Sequence, residues 1–305
     1  MSRKKKLLFW SLPYHRKTKS NEFLLVELAN RFDITECHSD TRNLDQSELL
    51  QYISVNYDYL VLWQVMPARE LLQQFHFSKG IMFPMFDQVM AMPEMLDSME
   101  LYRDFLVICF CYYLYSDLKS RGFDTEYIQY FPRPEPVIDY GDIHSLFFWT
   151  RREDLPPDEL LARCRKLDFS TVHIHKAMDP GQNYHPVTLT HPYRIEYSDW
   201  FPDKTDMEKV MCQSAVYAAP RLLEGIGMSF LGAMAQGRCV IAPNLPTMNE
   251  YILNGENGVL YDFDSLDAIE PFDVRKIQET TIKYMRAGYL QWSSDKEKIF
   301  EWIET

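Results

Sequence analysis

Short apolar runs alternate with amphipathic stretches along the whole chain. Residues 7–12 read as a strand, 21–32 as a helix with apolar positions three and four apart, and 34–37 as a second short strand. The pattern continues with a helix at 48–54, a strand at 59–63 and a helix at 68–75. Strands follow at 80–85, 105–111 and 126–131, with a helix at 113–121 between the last two. Such alternation predicts a parallel sheet with helices on both faces. Phe131-Pro132-Arg133-Pro134-Glu135-Pro136 continues neither a helix nor a central strand, and its alternate prolines make a stiff extended linker. The alternation then restarts: strand 145–150, helix 158–167, strands 171–175 and 186–190, a helix opened by Thr205-Asp206-Met207-Glu208, and strand 215–219. A last helix at 294–304 carries Ile299, Trp302 and Ile303 on one side.

Residues 223–262 organise the second half. Gly225 and Gly227 free the backbone for a tight bend and for close approach of another molecule. The helix that follows buries Phe230, Leu231, Met234 and Ala235, Gly237 caps it, and 240–242 is a strand buried on both faces. Thr247-Met248-Asn249-Glu250 reads as a capping box, and Asn254-Gly255 with Asn257-Gly258 supplies a turn. A glycine loop feeding a helix presents unpaired N–H groups and the positive end of the helix dipole, which suits a diphosphate. Glu224, just before the loop, would be repelled by phosphates but would accept hydrogen bonds from hydroxyls on whatever they carry. The combination points to a nucleotide sugar.

This stretch resembles the metal-independent GT-B glycosyltransferases, above all the large retaining family 4, the glycosyltransferase group 1 enzymes. Their carboxylate-glycine-aromatic-glycine run opens a motif of two glutamates separated by seven residues. Glu224 matches the first, and Gly232 stands where the second would be. The bland alternative is an ordinary strand-turn-helix with a solvated Glu224; the forty-residue pattern favours the family. The resemblance implies an α/β fold of GT-B type, two Rossmann-like doubly wound domains facing a central cleft. It divides the chain into an acceptor domain at 1–136, a donor domain at 137–284 and a helix at 285–305 packing back toward the first. Glu224 would hold the donor sugar, and Gly225, Ile226, Gly227 and Met228 would cradle the diphosphate. Arg151 matches the family's arginine after the first donor-domain strand. The lysine usual a few residues later is absent, with Pro156 and Pro157 in that region, and Arg152 or Lys176 would substitute. In the first domain Asp87 matches the second residue of a His-Asp pair, with Phe86 in place of the histidine. There it would orient an acceptor hydroxyl, act as a base if the reaction inverts, or merely cap a loop.

At 305 residues the chain has room for two domains, and its 46% hydrophobic content speaks against disorder. Lys and Arg number 32 against 44 Asp and Glu, a net charge of −12, which argues against a duplex nucleic-acid binder. The basic loop His15, Arg16, Lys17 and Lys19 suits a phosphorylated acceptor or is simply solvated. With residues 3–6 it would give a weak peripheral attraction to anionic lipid headgroups. The six cysteines lack zinc-site spacing, no signal peptide is visible, and the longest apolar run, 105–115, is shorter than the roughly 20 residues of a spanning helix. A reduced, cytoplasmic protein is expected. Asp262-Phe263-Asp264 has the look of a metal-binding Asp-x-Asp, but it falls where the family has an ordinary acidic loop. His173 and His175 share a strand face without a third ligand, so neither a metal nor a cofactor is expected. The partners implied are a nucleotide sugar and a glycan or lipid-linked acceptor. A non-catalytic scaffold on the same fold, or an epimerase or phosphorylase, is the alternative.

Overall fold

The computed structural model describes residues 3–40, 46–136 and 139–305. The chain divides into two compact units, Met1–Gln129 with Ser293–Thr305, and Tyr130–Trp292. The boundary expected after Pro136 abuts residues 137 and 138, which lie outside the described residues.

The first unit is built on β1 (Lys6–Ser11), β2 (Asp33–His38), β3 (Asn56–Trp63), β4 (His76–Phe83), β5 (Leu106–Cys109) and β6 (Thr125–Tyr127), hydrogen-bonded in the order β2-β1-β3-β4-β5-β6. Every pairing is parallel. Leu7 to Trp10 and Leu60 to Trp63 are fully or almost fully buried, as expected of strands covered on both faces.

The second unit contains β7 (Asp142–Thr150), β8 (Thr171–Lys176), β9 (Arg194–Ser198), β10 (Ser214–Ala218), β11 (Cys239–Pro243) and β12 (Val259–Tyr261), in the order β12-β11-β10-β7-β8-β9 and again all parallel. Side-chain alternation divides its core. Leu146, Phe148, Val172, Ile174, Val216, Ala218 and Ile241 form one cluster. Phe147, from the other parity of β7, stacks on His173 at 5.4 Å and on Tyr217 at 5.8 Å between ring centroids. Strand order runs one way from β7 to β9 and the other from β10 to β12. The switch lies between β7 and β10, where open α/β sheets hold ligands beyond their carboxyl ends.

The final helix is longer than its apolar pattern predicts, running unbroken over Val274–Glu304. Its earlier part packs on the second unit partly through polar groups: Gln278 Nε2 donates to the carbonyls of Tyr140 and Gly237, and Thr281 Oγ1 to that of Asn257. Its last residues belong to the first unit. There Ile299 and Ile303 are fully buried, Lys296 pairs with Glu27 at 2.5 Å, and Lys79 donates to the Trp302 carbonyl at 2.6 Å.

Two local expectations change. Residues 186–190 form no strand, because the Thr188 and Leu189 N–H groups donate to the Asp158 carboxylate rather than to a neighbouring strand. Thr247 precedes the helix Met248–Tyr251 but makes no side-chain cap; its hydroxyl is engaged elsewhere.

Candidate functional site

Because β8, β7 and β10 are adjacent and parallel, the residues that leave their carboxyl ends are brought side by side. Arg151 follows β7, Asp179 follows β8, and Arg221 and Glu224 follow β10. Asp179 joins the two arginines. Its Oδ1 accepts from Arg151 Nε at 2.9 Å and Nη2 at 2.6 Å, and its Oδ2 accepts from Arg221 Nε at 2.9 Å and also from Arg221 Nη2. Each carboxylate oxygen is thus held by the fork of one guanidinium, a strong, charge-assisted geometry for this pair of groups. Asp179 N–H donates in turn to the Arg151 carbonyl at 2.9 Å, and the Arg151 guanidinium lies over the Trp149 ring at 4.6 Å. Burial pushes the Asp179 carboxyl up, but the charges and hydrogen bonds of Arg151 and Arg221 outweigh it and hold the group below the usual carboxylate range.

Glu224 is only 6% exposed, and its Oε2 lies 4.0 Å from Arg221 Nη1. Its carbonyl is fixed by the Thr247 hydroxyl, which donates to it at 2.5 Å. Thr247 is fully buried at φ 73°, a conformation that β-branched residues adopt only where their surroundings impose it. A strained, buried side chain therefore holds the backbone at the start of the glycine loop. Of the two loop glycines, Gly227 is the one with positive φ, 82°, and it caps the helix Met228–Ala235 without any side-chain cap. A Cβ there would sit 1.9 Å from Phe230 Cε1, so glycine is required both by the backbone and by the packing. No side chain caps the helix start, which leaves that role to a ligand, and Ile226, 5% exposed, packs inward.

The expected residues separate into two groups. Arg151, Glu224, Gly225, Ile226, Gly227 and Met228 all lie at the carboxyl ends of β7 and β10. Arg152 pairs with Asp154 at 3.2 Å, and Lys176 with Asp199 at 3.3 Å beside the Tyr184 and Tyr197 rings. The cation that shares Arg151's carboxylate is Arg221. Neither it nor Asp179 was visible from sequence pattern: they lie 42 residues apart, and only the adjacency of β7, β8 and β10 makes them neighbours. Asp87 belongs to the first unit, in the first turn of the helix Phe86–Ala91, where Phe86 is buried edge-on to Tyr113. Gly232 lies within the helix Met228–Ala235, and a Cβ placed on it would meet nothing within 4 Å. His173 and His175 share Ser198 Oγ, at 2.8 and 2.9 Å, and Asp262 Oδ1 accepts from the Asp264 N–H at 3.0 Å.

Residues 181–270, which include the loop, Glu224 and Arg221, match the family model of the glycosyl transferases group 1. This segment is similar to the glycosyl transferases group 1 domain. No curated protein sequence matches the chain. Among solved structures it is similar to sucrose-phosphate synthase from Thermosynechococcus elongatus (TM-score 0.68, 12% identity, covering 98% of this chain and 100% of that one). It is also similar to a glycosyltransferase from Rickettsia africae (0.62, 13%, 99% and 98%) and to Anabaena HepE in complex with UDP-glucose (0.60, 12%, 97% and 99%). At these identities the likeness is one of fold, and the fold is GT-B, two Rossmann-like α/β units. The group 1 match covers β9 to β12 but not Arg151 or Asp179. Among the described residues no helix is long and apolar enough to cross a membrane.

Proposed function

We propose that the protein transfers a sugar from a nucleotide-sugar donor to a hydroxyl of a glycan or lipid-linked acceptor. The observation that carries this reading is the gathering of Arg151, Glu224 and the Gly225–Gly227 loop at the switch between β7 and β10. The group 1 match and the UDP-glucose complex of the similar HepE support it. As the sugar leaves, negative charge grows on the diphosphate and must meet something fixed and positive. The start of the helix Met228–Ala235 and the Arg151 guanidinium supply that, so the reaction needs no metal and no cofactor. Glu224 accepts hydrogen bonds from sugar hydroxyls.

The chemistry breaks the bond from the anomeric carbon to the diphosphate oxygen and forms one to the acceptor oxygen. In the retaining course that the family resemblance favours, the leaving diphosphate takes the acceptor's proton, and no protein nucleophile is required. Asp87 orients the acceptor. Arg152 and Lys176, each with its own carboxylate partner, contribute at most to the wider positive field. A cytoplasmic site with weak peripheral contact to lipid headgroups through the basic loop at 15–19 fits a lipid-linked acceptor.

Gly232 and Phe86, at positions where the family carries a glutamate and a histidine, favour a second reading, a binding subunit that has lost turnover. The purified protein separates the two. A thermal-shift screen of nucleotide sugars identifies the donor, because a ligand of the folded state raises the melting temperature. Hydrolysis or transfer of that donor, lost in Glu224→Ala and Arg151→Ala and insensitive to EDTA, supports the enzyme. Binding without turnover supports the scaffold, reversible loss of turnover in EDTA overturns the metal-free course, and product isomerised without acceptor points to an epimerase.

A further inference from the structure

We infer that Arg151, Asp179 and Arg221 form a preassembled clamp for the donor's diphosphate, in which Arg221 is the second cation and Asp179 the positioning residue. The inference rests on the nucleotide-sugar reading and names the residues that would grip the diphosphate. Three features of the cluster carry it.

The first is location. The three side chains leave the carboxyl ends of three neighbouring parallel strands beside the helix start at Gly227, where open α/β sheets take their ligands. The second is geometry. Both guanidiniums face Asp179 with the same edge, Nε and Nη2, and the side chains are 23%, 11% and 21% exposed for Arg151, Asp179 and Arg221. The Nη1 edge of each arginine is thereby turned away from Asp179, and that of Arg221 faces Glu224. The Trp149 ring under Arg151 and the carboxylate between the two arginines remove most of their rotamer freedom before any ligand arrives. The third is charge. Arg221 lies 4.0 Å from Glu224, so it spans the loop that would meet the phosphates and the acid that would meet the sugar. Arg151, Asp179 and Arg221 together carry a charge of +1, and Glu224, 4.0 Å from Arg221 on the sugar side, balances it.

A carboxylate beside an anionic ligand has two opposite effects. By charge alone Asp179 repels a diphosphate, and its removal would tighten binding. By holding two arginines in one orientation it favours the diphosphate, and its removal would weaken binding. Oriented, charge-assisted hydrogen bonds are worth more than an unoriented charge in this partly buried site, so the second effect dominates.

The test uses the full-length protein and calorimetric titration with UDP, GDP and ADP, and with uridine, guanosine and adenosine as their phosphate-free counterparts. For the tightest-binding diphosphate, Arg151→Ala and Arg221→Ala each weaken binding roughly 10- to 100-fold. Arg221→Lys, which keeps the charge and loses the fork, falls between wild type and alanine. Asp179→Ala weakens the diphosphate roughly tenfold although it deletes a negative charge, and Asp179→Glu recovers part of the loss. Affinity for the parent nucleoside stays level throughout, which a general loss of structure would not allow. Should Asp179→Ala fail to fold, Asp179→Asn reports the same sign. Tighter or unchanged diphosphate binding without the carboxylate overturns its positioning role. An unaffected Arg221→Ala beside an impaired Arg151→Ala overturns Arg221 as the second cation. If no diphosphate in the panel binds, or if Arg151→Ala is also silent, the nucleotide-sugar reading itself falls and the clamp with it.

Discussion

At the carboxyl ends of β8, β7 and β10 the second unit places two guanidiniums and two carboxylates, all partly or largely buried and in contact. At the corresponding ends of β1 and β3 the first unit places neutral rings. Its His15 lies tilted against Tyr14 at 4.0 Å and stands edge-on to Trp63, and Trp63 packs among Phe23, Phe83 and Phe110. Ser11 Oγ meets His38 Nδ1 at 2.9 Å. His15 Nε2, Asn21 Nδ2 and Trp63 Nε1 are buried without a hydrogen-bond partner, and the cations of that loop, Arg16, Lys17 and Lys19, are exposed. Two sheets of closely similar topology thus end differently: one in paired, oriented charge, the other in a buried aromatic cluster with unmet polar atoms. The fold fixes where a ligand sits, and the side chains at the strand ends fix which kind of ligand it is.

The largest expected effect tests that division directly. Removing a cation from the second unit's strand ends takes away a group aimed at developing charge, and Arg151→Ala lowers the rate of donor hydrolysis by about 10²- to 10³-fold. Glu224→Ala lowers it by about 10²-fold through the sugar hydroxyls it no longer holds. Arg16→Ala removes the same charge from the first unit, where it is exposed, and leaves acceptor-independent hydrolysis within about twofold. Equal losses in the two units would erase the distinction.

How much of this was legible in the sequence follows from the range of each interaction. Most strands of both sheets are apolar runs between amphipathic helices, and local pattern finds them; β9 is not, since Arg194–Ser198 is only partly buried, and the pattern passed over it for 186–190. Gly227 was legible because a glycine before a helix signals its own backbone need, here φ 82°. The Arg151–Asp179–Arg221 bridge was not, because its partners lie 28 and 42 residues apart and depend on the order of strands. Thr247 looked like a cap because spacing cannot reveal that its hydroxyl would reach the Glu224 carbonyl. The long helix was recognised only in its last part, since Gln278 and Thr281 bury polar groups on backbone carbonyls and dilute the apolar period.

Backbone strain offers the next contrast. Gly227→Ala places a Cβ against the Phe230 ring at positive φ, and destabilises the protein by roughly 1–3 kcal/mol. Lys19 in the first unit occupies the left-handed region at φ 54° with an exposed side chain, so Lys19→Gly stabilises by about 0.5–1 kcal/mol. Chemical denaturation with both variants checks the opposite signs. Destabilisation by both would mean that the Lys19 turn is held by contacts of its side chain.

Acid should act in two windows, the first shared by one histidine from each unit. Burial pushes the His15 imidazole down to about 4, with a smaller contribution from His38. Burial likewise brings His175 down to about 4, helped by His173 and opposed by Asp199. Both are neutral when folded, whereas the unfolded chain takes up their protons near 6.5, so stability falls as pH drops from about 6.5 toward 4. Asp179 acts in a lower window. Its folded value is depressed, so its contribution is complete above the unfolded value of about 3.9 and is lost as pH falls through the folded one. Melting temperatures against pH should therefore show a decline between about 6.5 and 4 that flattens in part in His15→Phe and in part in His175→Phe. A further fall below about 4 should be reduced in Asp179→Asn. An unchanged slope in either histidine variant would show that imidazole to be protonated in the folded state.

The smallest effect concerns Gly232. A Cβ at this position of the helix Met228–Ala235 meets nothing within 4 Å, so a side chain there starts into open space. Replacing glycine inside a helix with glutamate favours the helix by roughly half a kcal/mol through propensity alone, and the melting temperature of Gly232→Glu should rise by a degree or two. The family resemblance puts a ribose-binding glutamate at this position. If the side chain reaches that hydroxyl pair, nucleoside affinity rises about three- to tenfold, and the diphosphate gains no more than its nucleoside does. A gain confined to the diphosphate would be unphysical for an added carboxylate and would point to a changed loop. A rise in stability with no gain in affinity would show that the ribose is held from another strand end, with the aromatic cluster of Phe147, Trp149 and Phe201 around His175 as the next candidate.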